Sequence, residues 1–159
     1  MLFRSGALTA IRAARALGLR LLLAGPRNEY FEACIAPEVD GRSIEYIGTV
    51  TGGERDRLLG RARALLYPIE APEPFGMVLA EAMMCGTPVV AMHLGAVPEI
   101  VEDGVTGCLA ADAADFLRQI PRAFSLDRHR IRAIAEQRYS AERMAREYAA
   151  LYARLAARA

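Results

Sequence analysis

Apolar positions in this chain come in short clusters whose period switches repeatedly between that of a helix and that of a buried strand. Leu8, Ile11 and Ala14 recur at helical spacing over 5–17, and Gly18 stops them. Residues 19–24 (LRLLLA) are a short apolar run closed by Gly25-Pro26, which predicts a buried strand. A second helix is expected over about 28–36, closed by Pro37, and SIEYIG, with Ile44 and Tyr46, reads as the next strand, ended by Gly48. Thr51-Gly52-Gly53 opens a polar helix to about Arg61, and ALLYPI at 64–69 is a strand. A helix follows over 76–85, then Val89-Val90-Ala91 as a strand and GVTGCLA at 104–110 as a last one. From Asp112 onward the pattern is helical. Its end, 140–158, is the clearest case: Ser140 as N-cap, then Met144, Tyr148, Leu151 and Leu155 as one apolar stripe. Glu142 and Arg146 are spaced to pair on that helix. Short apolar strands alternating with helices predict an α/β fold, a Rossmann-like, doubly wound parallel sheet covered on both faces.

Composition narrows the function classes. The chain has 159 residues, 53% of them apolar and 25% charged, which suits a single packed domain and excludes a disordered chain. The net charge is +1, which gives no general attraction to nucleic acid. All 20 basic residues are arginine; lysine is absent from the sequence. No apolar run approaches the length of a membrane span, and 1–20 lacks the apolar core of a secretory signal. Cys34, Cys85 and Cys108 are odd in number and far apart, so they read as small hydrophobes in a reducing cytoplasm rather than a disulfide or zinc framework. Neither the dinucleotide-binding glycine pattern nor the P-loop pattern occurs. His93 follows a predicted strand and His129 lies in a charged helical run; both read as solvated, as does the arginine-rich face of 118–138.

The chemistry concentrates in 70–91, EAPEPFGMVLAEAMMCGTPVVA. A proline-punctuated loop with two carboxylates, Glu70 and Glu73, follows a predicted strand and leads through Phe75-Gly76 into a helix. That helix is apolar nearly all round and so is expected to be buried, yet it carries Glu81. Its N-terminal N–H groups stand at the carboxyl end of a parallel strand, where such folds bind anions, and Gly76 lets a ligand approach the backbone. A polyhydroxylated, anionic ligand fits this arrangement. The alternative is structural: Glu70 and Glu73 as loop residues, Glu81 held by an arginine.

The run from Glu73 to Glu81, EPFGMVLAE, resembles the E-x7-E signature of the retaining, GT-B-type glycosyltransferases of family 4. Its flanks are similar to that family as well: GAVPEIVEDGVTGCLA downstream, RLLLAGP and SIEYIGTV upstream, and RYSAERMAREYAALY at the C-terminal helix. The resemblance implies the C-terminal, donor-binding half of a GT-B fold, and a role for each matching residue. Glu73 would bind hydroxyls of the donor sugar and act by positioning and electrostatic stabilisation. Phe75, Gly76 and Met77 would offer N–H groups to the sugar and diphosphate, with Val78 close by. Glu81 would bind the ribose, and the loop of Gly48 and Val50 would lie along the base. The co-substrate would be an NDP-sugar, UDP favoured, with no metal or other cofactor.

The sequence also departs from the family. The N-terminal acceptor domain has no counterpart, so 1–159 is expected to be a single nucleotide-sugar-binding domain cut short at its N-terminus. Its acceptor domain would come in cis or in trans. The family's opening strand, ending in G-R and followed by K-G, is also missing; Met1-Leu2-Phe3-Arg4-Ser5-Gly6 falls at the K-G position, with Arg4 in place of the lysine. A lost central strand would leave neighbouring strands with open edges and an apolar gap, so the chain alone is expected to be marginal, to aggregate or to borrow a strand. It would bind donor weakly and not transfer. The alternatives are a non-catalytic fragment, a gene remnant or one subunit of a two-chain enzyme, and, against the E-x7-E block, a non-hydrolysing epimerase. Lipid-linked acceptors in the family add an expected peripheral contact with anionic membranes.

Overall fold

The structure, a computed structural model, describes residues 6–157. Helices and strands alternate as the pattern predicts. Helix α1 is Ala7–Ala16, strand β1 Leu21–Leu23 and strand β2 Ile44–Tyr46. Helix α2 spans Gly52–Arg61, β3 Leu65–Tyr67, α3 Met77–Met84, β4 Val89–Met92, α4 Val97–Ile100 and β5 Gly107–Ala110. Three helices close the chain: α5 (Ala113–Ala123), α6 (Arg128–Tyr139) and α7 (Ala141–Ala156). The helix expected over about 28–36 is instead a π-helical turn, Phe31–Ile35, running into a 3-10 turn, Ala36–Glu38. Asn28 accepts from Phe31 N–H at 2.8 Å to start it, and Phe31 and Ile35 stay on the buried side.

The sheet is parallel and, among the described residues, in two pieces: β1 with β2, and β3–β4–β5. The second piece is covered on both faces. Val89 and Ala91 of β4 face α3 and α6 through Leu79, Met83 and Ile131, while Val90 faces α5 through Phe116 and Ile120. Arg128, at the start of α6, donates to the carbonyls of Gly60 (2.7 Å) and Ala62 (2.6 Å) and to Thr87 Oγ1 (2.9 Å), tying off the end of α2. The first piece packs one face, through Leu23, Ile44 and Tyr46, on α1 and the Phe31–Ile35 turn. Its other face carries Leu22 and the Glu45 carboxylate, which accepts from Arg20 at 2.5 Å.

The final helix starts where predicted, with Ser140 Oγ accepting from Arg143 N–H at 3.4 Å. The ion pair that forms on it is Arg143–Glu147 (2.7 Å), in place of the expected Glu142–Arg146, and Arg143 also donates to the Arg138 carbonyl at 3.2 Å. Its apolar stripe forms too, but Met144, Tyr148, Leu151 and Leu155 are all exposed. Arg4 lies outside the described residues, as does residue 158.

Candidate functional site

The loop after β3 carries the chain from the carboxyl end of the strand to α3, and Glu73 is pinned within it. The Ala96 N–H donates to the Glu73 carbonyl at 2.9 Å. Gly95 packs so closely that a Cβ there would stand 2.5 Å from Glu73 N, so a larger residue would push the two loops apart. The Tyr67 hydroxyl donates to Glu73 Oε2 at 3.1 Å. Burial, then this bond, push the Tyr67 phenol up to about 12, so it stays a donor across the physiological range. One Glu73 oxygen is thus engaged, and the other can accept a further hydrogen bond.

Gly76 begins α3 at φ 75°, and a Cβ on it would crowd Leu79 Cδ1 (3.0 Å) and Glu73 Cγ (3.3 Å). Helices α5, α6 and α7 are capped by the side chains of Asp112, Asp127 and Ser140. Helix α3, like α1, α2 and α4, has no side-chain cap. Its first N–H groups and the positive end of its dipole can receive an anion. Phe75 (46% exposed) and Met77 (69% exposed) stand open beside this helix end. The Phe75 ring meets Tyr139 edge-on, centroids 6.4 Å apart.

The structure corrects the expectation that α3 is buried all round. Leu79, Ala82 and Met83 are buried, but the opposite side opens on a cavity of about 1680 Å³ lined by Phe75, Met77, Glu81 and Arg55 among others. The Glu81 side chain is 25% exposed, and Arg55 Nη1 donates to its Oε1 at 2.6 Å. Arg55 also bonds Asp56, which chiefly raises its pKa, with Glu81 adding to the effect. The carboxylate therefore has both an arginine and an open side.

Gly48 and Val50 sit on the loop after β2, where the Gly48 carbonyl accepts from Gly25 N–H at 2.9 Å. Val50 and Val78 line a second cavity, and Arg55 lines both. The structure thus places Glu73, Phe75, Gly76, Met77 and Val78 at the start of α3 and Glu81 one turn into it, and Val50 shares the second cavity with Val78 and Arg55, whereas Gly48 lines neither cavity. His93 and His129 are exposed. Among the described residues, no group of three His, Cys, Asp or Glu is placed to hold a metal ion. Tyr67, Gly95 and Arg55 were not singled out in the sequence. Tyr67 carried one usable signal, a polar-tipped aromatic within an apolar run, six residues before Glu73. Arg55 carried none that set it apart from the other arginines.

Residues 3–125 match the family described as glycosyl transferases group 1. The chain belongs to that family. Among its relatives is the D-inositol 3-phosphate glycosyltransferase of Actinosynnema mirum, 40% identical over 85 residues, which covers 50% of this chain and 20% of that protein. HepE of Anabaena, solved in complex with UDP-glucose, superposes with a TM-score of 0.81 at 23% identity, covering 94% of this chain and 45% of that one. AviGT4, a glycosyltransferase involved in avilamycin A biosynthesis, superposes at 0.78 with 32% identity, covering 98% of this chain and 49% of that one. This group 1 chain therefore spans less than half the length of each. Its parallel α/β sheet is that of the C-terminal, Rossmann-like domain of GT-B glycosyltransferases. No described helix of this group 1 chain is long and apolar enough to cross a membrane.

Proposed function

We propose that this chain is the donor-binding part of a retaining, family 4-type glycosyltransferase with an E-x7-E site, and that it holds a UDP-sugar for transfer of a hexose to an acceptor carried by another domain. The observation that carries the reading is the placement of two carboxylates, Glu73 in the loop before the N-terminus of α3 and Glu81 one turn into that helix. Glu73, fixed by Tyr67 and by the backbone of 95–96, accepts hydroxyls of the sugar through its free oxygen. The N–H groups of Phe75, Gly76 and Met77 receive sugar and diphosphate oxygens, and the α3 dipole and Arg55 offset the diphosphate charge without a metal ion. Glu81 takes the ribose hydroxyls with the oxygen that Arg55 leaves open. The loop of Gly48 and Val50 lies along the base. The role of the protein is to orient the donor and to stabilise the developing charge at the anomeric carbon, with Glu73 as the nearest carboxylate. The setting is cytoplasmic, with a peripheral membrane contact where the acceptor is lipid-linked.

Calorimetric titration of the chain with UDP, GDP, UDP-glucose and inorganic pyrophosphate tests this. UDP and UDP-glucose bind, and Glu81→Ala weakens UDP by about 10-fold or more while leaving pyrophosphate nearly unchanged, the loss expected for charge-assisted hydrogen bonds. Equal losses for UDP and pyrophosphate overturn the ribose role. No binding of any nucleotide at millimolar concentration overturns the whole reading.

A further inference from the structure

Helix α6 ends in Arg138 and Tyr139, and the fold carries both to the loop that leads into α3. The Tyr139 ring meets the Phe75 ring edge-on, with centroids 6.4 Å apart and planes at 85°. Its hydroxyl donates to the Ile100 carbonyl at 3.2 Å. Arg138 Nη2 donates to the neighbouring Glu99 carbonyl at 2.6 Å, and its guanidinium lies 5.2 Å from the Tyr139 ring centroid. Glu99 and Ile100 close α4, a helix of one turn, so their carbonyls find no partner within it. The side chains at the end of α6 supply the partners.

These contacts form a closed ring around the candidate site. At the start of α4, the Ala96 N–H donates to the Glu73 carbonyl at 2.9 Å, and the Glu99 N–H donates to the Ala96 carbonyl at 3.0 Å across the turn. The ring therefore runs from Glu73 to Ala96, through one turn of α4 to Ile100, on to Tyr139, across to Phe75, and two residues back to Glu73. Tyr139 closes it, with its aromatic ring on the Phe75 side and its hydroxyl on the α4 side. Tyr139 is itself held, half-buried against the core that includes Ile100, Ile131 and Ala135. Burial raises the pKa of its phenol, against the opposing pull of the Arg138 and Arg143 guanidiniums, so the hydroxyl stays a donor at neutral pH. Phe75 is 46% exposed and stands directly before Gly76, so its ring has little else to fix it.

We propose that Tyr139 is a positioning residue of the donor site: its ring on Phe75 and its hydroxyl on Ile100 hold Glu73 and the N–H groups of Phe75, Gly76 and Met77 in one fixed relation. The proposal rests on the reading that those N–H groups receive a diphosphate, and it adds the residue that sets them. Tyr139 acts through Phe75 and α4, and lowers the cost of ordering the loop when a ligand arrives. Its worth is bounded by one aromatic edge contact and one neutral hydrogen bond, so effects of several-fold are expected.

Calorimetric titration of the full chain with inorganic pyrophosphate and UDP, and NMR titration with uridine, test it. Tyr139→Leu loses both contacts. It should weaken pyrophosphate and UDP alike, by about 5- to 10-fold, and leave uridine within about twofold of the parent. Glu81→Ala, by contrast, spares pyrophosphate. Tyr139→Phe keeps the ring and should recover most of the loss. Phe75→Leu keeps the N–H and removes the ring edge from the open side of the pair. It should weaken pyrophosphate as Tyr139→Leu does, with the double variant no weaker than either alone. With no ligand present, the Ala96 amide should exchange faster in Tyr139→Leu, by a larger factor than the β4 amides, which report global stability. Circular dichroism identifies a variant that fails to fold, and Phe75→Leu, altered at an exposed side chain, carries the test in that case. Equal losses for uridine and pyrophosphate overturn the positioning role. So do additive losses in the double variant, or Ala96 exchange that changes only in step with β4. A parent chain that binds pyrophosphate but no nucleotide overturns the nucleotide reading alone, and the pyrophosphate and Ala96 results still decide Tyr139. A parent chain that binds neither overturns both.

Discussion

The two halves of the sheet are made of similar material and end in different states. Leu21–Leu23 is as apolar as Val89–Met92, yet Val89, Val90 and Ala91 are wholly buried, while Leu21 and Leu22 are only half-buried. The difference is in the number of neighbours. Strand β4 has a paired strand on each edge and helices on each face. Among the described residues, strand β1 has one paired edge and one packed face. An apolar run records what a strand needs, four covered sides, and is silent on how many of them the chain itself supplies. The candidate site depends on the better-built half, since Glu73, Tyr67, α3 and the 95–96 loop all belong to it.

The sharpest way to break this comparison is to cut an equivalent aromatic from each half. Phe116 and Phe31 are both buried. Phe116→Ala should cost about 3–5 kcal/mol of global stability, the range for a buried phenylalanine. Phe31→Ala should cost the global transition less, because the β1–β2 half can open before the rest. Urea denaturation of the two variants, with Cm and slope compared, reads this directly. Equal losses would mean that the halves unfold as one unit.

Hydrogen exchange sharpens the same point without a mutation. The amides of β4 should exchange only through global unfolding. Those that join β1 to β2, such as Leu21 to Ser43 and Ile47 to Leu23, should exchange faster, through a partial opening. Matching exchange free energies in β1 and β4 would remove the distinction.

The boundary of the stable half is held by Arg128, whose guanidinium reaches two carbonyls at the end of α2 and the hydroxyl of Thr87. Arg128→Ala should lower stability by about 2 kcal/mol, as expected for hydrogen bonds from a charged donor. Arg128→Lys should rescue little of it, because a single ammonium cannot span all three acceptors. Full rescue by lysine would show that charge, not the planar fork, matters there. Thermal melts of the three proteins decide it.

How much of this was legible in the sequence follows the same division. Local features were. Ser140 as a cap, the strand–loop–helix run around Glu73, and the alternation that makes the sheet parallel all rest on neighbours within a few residues. The motif placed Glu73 just before α3, Gly76 at its start and Glu81 one turn into it, because their spacing is itself local. Pairings across distance were not legible. Arg55 meets Glu81 from 26 positions away, and Arg128 meets Gly60 from 68, in a chain with 20 arginines and no rule to choose among them. The π-helical turn at Phe31–Ile35 escaped because its apolar spacing, four residues, is also that of an α-helix. The stripe on α7 was read correctly as a stripe; that its residues are exposed is a fact about neighbours, which periodicity does not contain.

The smallest expected effect lies in the weaker half, at the turn that leads into β2. Asp40 accepts hydrogen bonds from the N–H groups of Arg42 (2.8 Å), Ser43 (2.8 Å) and Ile44 (2.9 Å), and from the Ser43 hydroxyl (2.5 Å). The Ser43 hydroxyl above all, with the backbone donors, holds its carboxyl well below the usual carboxylate range. A pKa lower in the folded than in the unfolded state means that the unfolded chain binds the extra proton first as pH falls. The contribution of Asp40 to stability is therefore fully present above about pH 4, the ordinary aspartate value, and is lost as pH drops from there through the folded pKa. Because the group is open to solvent, the effect should be modest and confined to this turn. In Asp40→Asn, exchange of the Ile44 amide should speed up at neutral pH and lose the acid dependence it shows between about pH 4 and pH 2 in the parent chain. NMR titration of the Asp40 carboxyl carbon, with Ile44 exchange followed in parallel, checks both parts. An ordinary titration near pH 4 would mean that the turn draws nothing from the charged carboxylate, and that β1 and β2 are held only by their ladder and by the apolar face under α1.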